Sequence, residues 1–317
     1  MLIHVISTLF PVFSVLLLGF VLVRTGFMSS AFVEEMNNLI YWVALPAFIV
    51  GTLGRSVGMP GAVMPLVAVF ALSTVVFVAG CWLVLGLTGF PVAGRGTFLQ
   101  AAFRGNLAFI GLPILIYALR GLPQEEIDSV TRQAVFLFAP TMVLYNLIAT
   151  VVFPLPVEVM GGSFPRLRST VRGFGRNPLL IASVAGAVLI LLPWKLPEAA
   201  LDSLDYLGTF AAPAAVLGVG GAMAFTPLGD HWKPAFAAAL LKVAALPLLV
   251  AVVAMPFDFS RRELLILLIF ASAPCAAGGY VIARKMGGDG RLAAGAIFIS
   301  TALSVLSLST IIAWFVW

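Results

Sequence analysis

Apolar runs of close to spanning length alternate along the chain with charges, Pro-Gly clusters and polar dipeptides. A helix needs about 20 mostly apolar residues to cross a bilayer. Cutting the chain at its polar marks predicts ten spans: roughly 2–23, 35–53, 62–88, 98–119, 131–153, 178–193, 206–226, 234–256, 263–283 and 292–317. The third is long enough to tilt or kink, the sixth is short, and the fourth and ninth are the least regular. No Lys or Arg precedes the first run and Arg24 follows it, so it reads as a retained helix rather than a signal peptide, with its N-terminus outside the cytoplasm.

Composition excludes the soluble alternative. Hydrophobic residues make up 62% of the chain and charged residues 10%, whereas a soluble domain carries about 25% charged residues. The expected class is an all-α polytopic membrane protein, whose backbone is satisfied inside helices. The net charge of +5 does not indicate nucleic acid, because the charges are sparse and scattered between apolar runs. It follows topology instead. With the N-terminus outside, the inner loops hold Arg24, Arg95, Arg104, the cluster Arg166, Arg168, Arg172 and Arg176, Lys233, Arg284, Lys285 and Arg291. The outer loops hold Arg55, Arg120, Arg132, Lys195, Arg261 and Arg262. The inner excess predicts that both termini face out and that the inner face meets anionic lipid headgroups. Cys81 and Cys275 lie inside apolar runs and read as packed thiols, and His4 and His231 are too few for a multi-histidine metal centre.

The longest connection, 154–177, divides the chain into a first five-helix repeat (1–153) and a second (178–317), joined by a basic cytoplasmic linker. An odd number of spans per half places the halves in opposite orientation, as in inverted-repeat transporters. Ala44-Leu45-Pro46-Ala47 of the second span parallels Ala211-Ala212-Pro213-Ala214 of the seventh. Gly111-Leu112-Pro113 of the fourth parallels Ser272-Ala273-Pro274 of the ninth.

Candidate chemistry sits where the apolar pattern breaks. Proline removes a helical hydrogen bond, and matched interruptions in two halves point to a transporter's central site. Asn106, Gly111 and Pro113 mark the fourth span; Ala273, Pro274 and Cys275 mark the ninth. Ordinary kinks and close helix packing are the plain alternative. Lys242 is the charged side chain that lies deep in a span, facing a cavity or snorkelling to the inner interface. Ser300, Ser304 and Ser307 draw a polar stripe on the last span, for cross-helix hydrogen bonds or a ligand. Asn37, Asn38 and Asn146 suit capping or cross-linking of helices. The sequence shows no nucleophile-elbow, zinc-protease or Walker A motif. Asp202 and Asp205 share a short outer loop, too little for metal-dependent prenyl transfer. No cofactor, metal site or catalytic residue is expected; the energy would come from an ion or substrate gradient.

The residues also resemble a known family. Leu18-Gly19-Phe20, Arg24-Thr25-Gly26-Phe27 and Asn38-Leu39-Ile40-Tyr41 followed by Leu45-Pro46-Ala47-Phe48 are similar to the start of auxin efflux carrier family transporters. Gly105-Asn106 with Phe109-Ile110-Gly111-Leu112-Pro113, Lys242 with Leu246-Pro247, and Ser300-Thr301-Ala302-Leu303-Ser304 carry the resemblance along nearly the whole chain. It implies ten helices in two inverted five-helix repeats, with helices four and nine broken and crossing at mid-membrane. It further implies a scaffold to which Asn38, Pro46 and Pro213 belong, an elevator-like transport domain, a homodimer, and organic anions such as malonate or malate as substrates. The protein is then a multi-pass carrier of the bacterial-type cytoplasmic (inner) membrane, coupled to H+ or Na+. Two family features are absent: the plant carriers' long central loop, and the Asn-Pro pair at the crossover, where Asn106 precedes Leu107. The alternatives are a sodium-coupled symporter of the bile acid type, a channel, and an intramembrane lipid-binding protein or enzyme.

Overall fold

The computed structural model describes residues 2–55, 63–152, 178–191, 196–225, 232–276, 278–285 and 287–315. The linker 154–177, Lys195 and His231 lie outside them, as does the side chain of Asn146. Among the described residues the structure is helical, with one isolated β-bridge and no named strand. In chain order come α1 (Leu2–Arg24), α2 (Ser30–Leu39), α3 (Leu45–Gly54), α4 (Val63–Leu87), α5 (Val92–Phe103), α6 (Leu112–Ala118) and α7 (Gln124–Val152). There follow α8 (Pro178–Leu191), α9 (Glu198–Ala224), α10 (Trp232–Leu240), α11 (Leu246–Ala254), α12 (Arg261–Ser272), α13 (Gly278–Lys285) and α14 (Gly290–Phe315). Among the described residues, six helical stretches are long and apolar enough to cross a membrane: Ser30–Gly54, Val63–Leu87, Gln124–Ala149, Glu198–Ala224, Trp232–Ala254 and Gly290–Phe315. Leu9–Arg24 and Leu107–Ala118 are shorter apolar helices.

Proline shapes three of these segments in one way. Single π turns at Ile40–Ala44, Leu107–Gly111 and Leu241–Ala245 each lead into a helix that opens Leu-Pro: Leu45-Pro46, Leu112-Pro113 and Leu246-Pro247. The leucine N–H reaches back five residues, to Ile40 O, Leu107 O and Leu241 O respectively. The widened turn accommodates a ring that would otherwise clash with the preceding carbonyls. The helix continues without a stop, so α2–α3 and α10–α11 run on as single segments.

The helices gather in two groups. In the first, α9 packs against α1, α2 and α3, and α8 against α3. Glycine permits the closest of these contacts: a Cβ at Gly220 would run into the Leu16 carbonyl, and one at Gly19 into the Leu217 carbonyl. Without a hydrophobic force between helices in lipid, such close backbone approach is a main source of association. In the second group α5, α10, α12, α13 and α14 pack round one another, with α4 and α11 alongside. Helix α7 touches both groups, α6 touches α1 and α9 of the first and α12 of the second, and α1 also meets α14.

Ionic contacts finish the helix ends. Pro197 starts α9 earlier than the apolar pattern indicates, which corrects the expectation that Asp202 and Asp205 lie in a loop. Glu198, Asp202 and Asp205 share one face of α9 and converge on Arg55 at 2.9, 2.7 and 2.7 Å. These hydrogen bonds to Asp205, Asp202 and Glu198 hold the Arg55 guanidinium above its ordinary pKa. Gly51 leaves room beside Asp205. Arg262 pairs with Glu126, joining the starts of α12 and α7, and Ser260 with Glu263 forms a capping box on α12.

The glycine packing is testable. Gly220→Leu should abolish the monodisperse peak in size-exclusion chromatography of detergent-solubilised protein, whereas Gly80→Leu, at a position facing open space, should preserve it.

Candidate binding site at the two interrupted helices

The fourth and ninth predicted spans are not kinked helices but interrupted ones. Helix α5 ends at Phe103 and the chain turns helical again at Leu107; α12 ends at Ser272 and α13 begins at Gly278. The break in the fourth span lies ahead of Pro113, because the π turn absorbs the proline and Asn106 caps the new helix start: its Oδ1 accepts from Phe109 N at 3.3 Å.

The two interruptions meet. Gly105 and Cys275 form an antiparallel bridge, flanked by reciprocal hydrogen bonds in which Asn106 N donates to Pro274 O at 2.7 Å and Ala276 N donates to Arg104 O at 2.9 Å. Interrupting a helix in lipid leaves backbone groups that need partners in protein or water; here each break supplies partners for the other. Cys275 N donates instead to Ser300 Oγ at 2.9 Å, and Cys275 Sγ donates to Ala101 O at 3.0 Å. Tyr145 OH receives Gly105 N at 3.5 Å. A Cβ at Gly111 would come 3.3 Å from Phe270 and 3.4 Å from the Ala273 Cβ, so the second half of one segment packs tightly on the break of the other.

Polar side chains surround the bridge. Asn106 is 4% exposed and its Nδ2 has no hydrogen-bond partner. Gln100, on α5, is 2% exposed with both amide atoms unpartnered. Lys242 is fully buried and its ammonium donates to Ala271 O. A narrow cleft beside the bridge is lined by Thr97, Gln100, Arg104, Cys275, Ala276 and Gly279, among others. Arg104 lies over the Tyr145 ring at 5.6 Å and is buried. That corrects its placement in an inner loop: α5 runs to Phe103 and carries Arg104 into the core before breaking. No carboxylate is buried among the described residues.

The remaining sequence candidates divide clearly. Asn106, Gly111, Ala273, Pro274, Cys275, Lys242 and Ser300 come together at the bridge, whereas Pro113 is buried in the first turn of α6, beyond the break. Ser304, though buried, returns its hydroxyl to Thr301 O at 2.8 Å within α14. Asn38 is exposed on α2, Pro46 is half-buried beside a π turn, and Pro213 is exposed in the unbroken α9. Gln100 and Thr97 were missed by the sequence reading, and Gly105 entered it only through the family resemblance. Their signal is weak: a lone amide and a lone hydroxyl within a short apolar stretch, Thr97-Phe98-Leu99-Gln100.

A family profile described as membrane transport protein matches residues 4–155 and 166–312. The chain belongs to this membrane transport protein family. It is the family of the auxin efflux carriers, as the resemblance implied. An uncharacterized transporter of Methanocaldococcus jannaschii is 24% identical over 93% of this chain and 96% of its own length. An uncharacterized transporter of Methanothermobacter thermautotrophicus is 24% identical over 95% of each. A protein of Rhizobium meliloti named "Putative malonate transporter" is 24% identical over 94% of this chain and 92% of its own length. The protein is thus a membrane transporter, with several apolar helices crossing the bilayer.

In this transporter Ser300 holds the bridge by accepting Cys275 N–H. Ser300→Ala leaves that buried N–H unsatisfied, at a loss of about 1–3 kcal/mol, and should lower the thermal unfolding temperature in detergent. Ser304→Ala, which breaks only a contact within α14, should lower it less.

Proposed function

We propose that the protein is a secondary transporter of a small organic anion, a carboxylate such as malonate or malate, across the cytoplasmic membrane. The observation that carries this reading is the buried, unpartnered Asn106 Nδ2 at the point where two interrupted helices exchange backbone hydrogen bonds. A buried donor without a partner is costly unless something else fills the role, and a carboxylate oxygen would. The second half of the fourth segment begins beside it at Leu107, the start of α13 lies against Gln100 at Gly279, and helix N-termini favour anions. Gln100, which lines the cleft on the neighbouring side of the bridge, adds a second unpartnered amide. Arg104 and Lys242 bias the site towards negative charge; Lys242, already bonded to Ala271 O, acts through its field. The cleft is narrow, so substrate entry requires it to widen.

The chain's two parts, 1–153 and 178–317, are read as inverted five-helix repeats in a ten-span fold with crossing fourth and ninth helices. The reciprocal bonds of the bridge support this, since a local two-fold relation would generate them. The two packing groups support an elevator mechanism: α1, α2, α3, α8 and α9 as scaffold, which includes Asn38, Pro46 and Pro213, and the bridge-bearing group as the moving part. Both termini face out, in keeping with the basic excess of the inner loops. The name of the Rhizobium relative supports the choice of malonate for a first test, and the family resemblance supports a homodimer.

Proteoliposomes loaded for counterflow should take up labelled malonate or malate saturably. Asn106→Ala should raise the half-saturating concentration roughly 10-fold or more, as expected for one hydrogen bond to a charged group worth about 1.5–3 kcal/mol. Absence of saturable uptake across a panel of carboxylates, or unchanged affinity in Asn106→Ala, would overturn the proposal.

A further inference from the structure

The end of α12 carries an unusual set of backbone acceptors. In a continuing helix, the carbonyls of Phe270, Ala271 and Ser272 would receive the N–H groups of residues 274, 275 and 276. Pro274 has no N–H. Cys275 N is diverted to Ser300 Oγ and Ala276 N to Arg104 O. The last turn thus ends in buried carbonyls at the negative pole of a helix, and the Ser272 hydroxyl in the same turn is buried without a partner. Half-helix C-termini with freed carbonyls are how broken-helix transporters hold a coupling cation.

Here a side chain reaches that position. The π turn Leu241–Ala245 carries Lys242, whose ammonium is fully buried and bonded to Ala271 O. It also lies against the bridge: a Cβ at Gly105 would stand 3.1 Å from Nζ and 3.2 Å from Cε. Glycine at 105 is what lets the ammonium approach both the bridge and the carbonyl end of α12.

We propose that the Lys242 ammonium is a tethered replacement for a free monovalent cation at the end of α12, and that shortening this side chain uncovers a site for Na+. This deepens the transporter reading given above and rests on it for its place in a transport cycle. The site itself is tested without substrate.

Wild type, Lys242→Ala and Lys242→Met should be extracted and purified in parallel in NaCl and in choline chloride of equal ionic strength, and their unfolding temperatures followed against added Na+. Alanine vacates the ammonium's space, whereas methionine fills it with an uncharged chain. The expected result is a saturable Na+-dependent rise of about 3 °C or more in Lys242→Ala, with no Na+ dependence in wild type or Lys242→Met. Recovery of folded Lys242→Ala in NaCl alone would support the proposal equally. Stabilisation of wild type by Na+, an equal Na+ response in Lys242→Met, or Lys242→Ala that is insensitive to Na+ or unrecoverable in both salts would overturn it. Failure of carboxylate uptake with these salt responses intact would count against the substrate reading alone.

Discussion

Every backbone N–H and C=O inside a bilayer needs a partner, and this constraint governs the centre of the molecule. Two segments stop being helical in the interior, and neither break could stand alone. Together they form the Gly105–Cys275 bridge, with Asn106 N and Ala276 N serving the carbonyls opposite. Ser300 and Tyr145 take the Cys275 and Gly105 N–H groups, and Lys242 serves Ala271 O. A place that must satisfy freed backbone groups is also one that can hold a polar ligand in an apolar surrounding.

Proline has two separate roles in reaching this arrangement. Pro46, Pro113 and Pro247 follow π turns that let a segment continue. Pro274 lies in a true break, where α12 ends and the neighbouring segment supplies hydrogen bonds. Glycine is similarly divided, between packing of α1 on α9 at Gly19 and Gly220 and making room for the Lys242 ammonium at Gly105.

The helical membrane class was legible from hydrophobic mass and charge scarcity, and the location of the breaks from Asn106, though not from Pro113, and from Ala273 to Cys275. Lys242 and Ser300 were legible as polar residues where hydrocarbon was expected. What the sequence hid were relations between segments. Arg104 looks like a loop residue until α5 is seen to carry it inward. Gln100 looks unremarkable until both its amide atoms are found buried. Asp202 and Asp205 look like loop acids because the apolar pattern begins after them, while Pro197 starts the helix earlier. That Cys275 would face Gly105 has no local signal at all, because a long-range pairing is set by how separate helices pack. Of the three alternatives, the enzyme finds no support in family or relatives, which are named as transporters.

The central claim is that the paired interruptions build the anion site. An electron cryo-microscopy map of the transporter with saturating malonate tests it most directly. The account predicts density for a carboxylate within hydrogen-bonding distance of Asn106 Nδ2, beside the Gly105–Cys275 bridge. Anion density elsewhere, or continuous helices in place of the bridge, would contradict it.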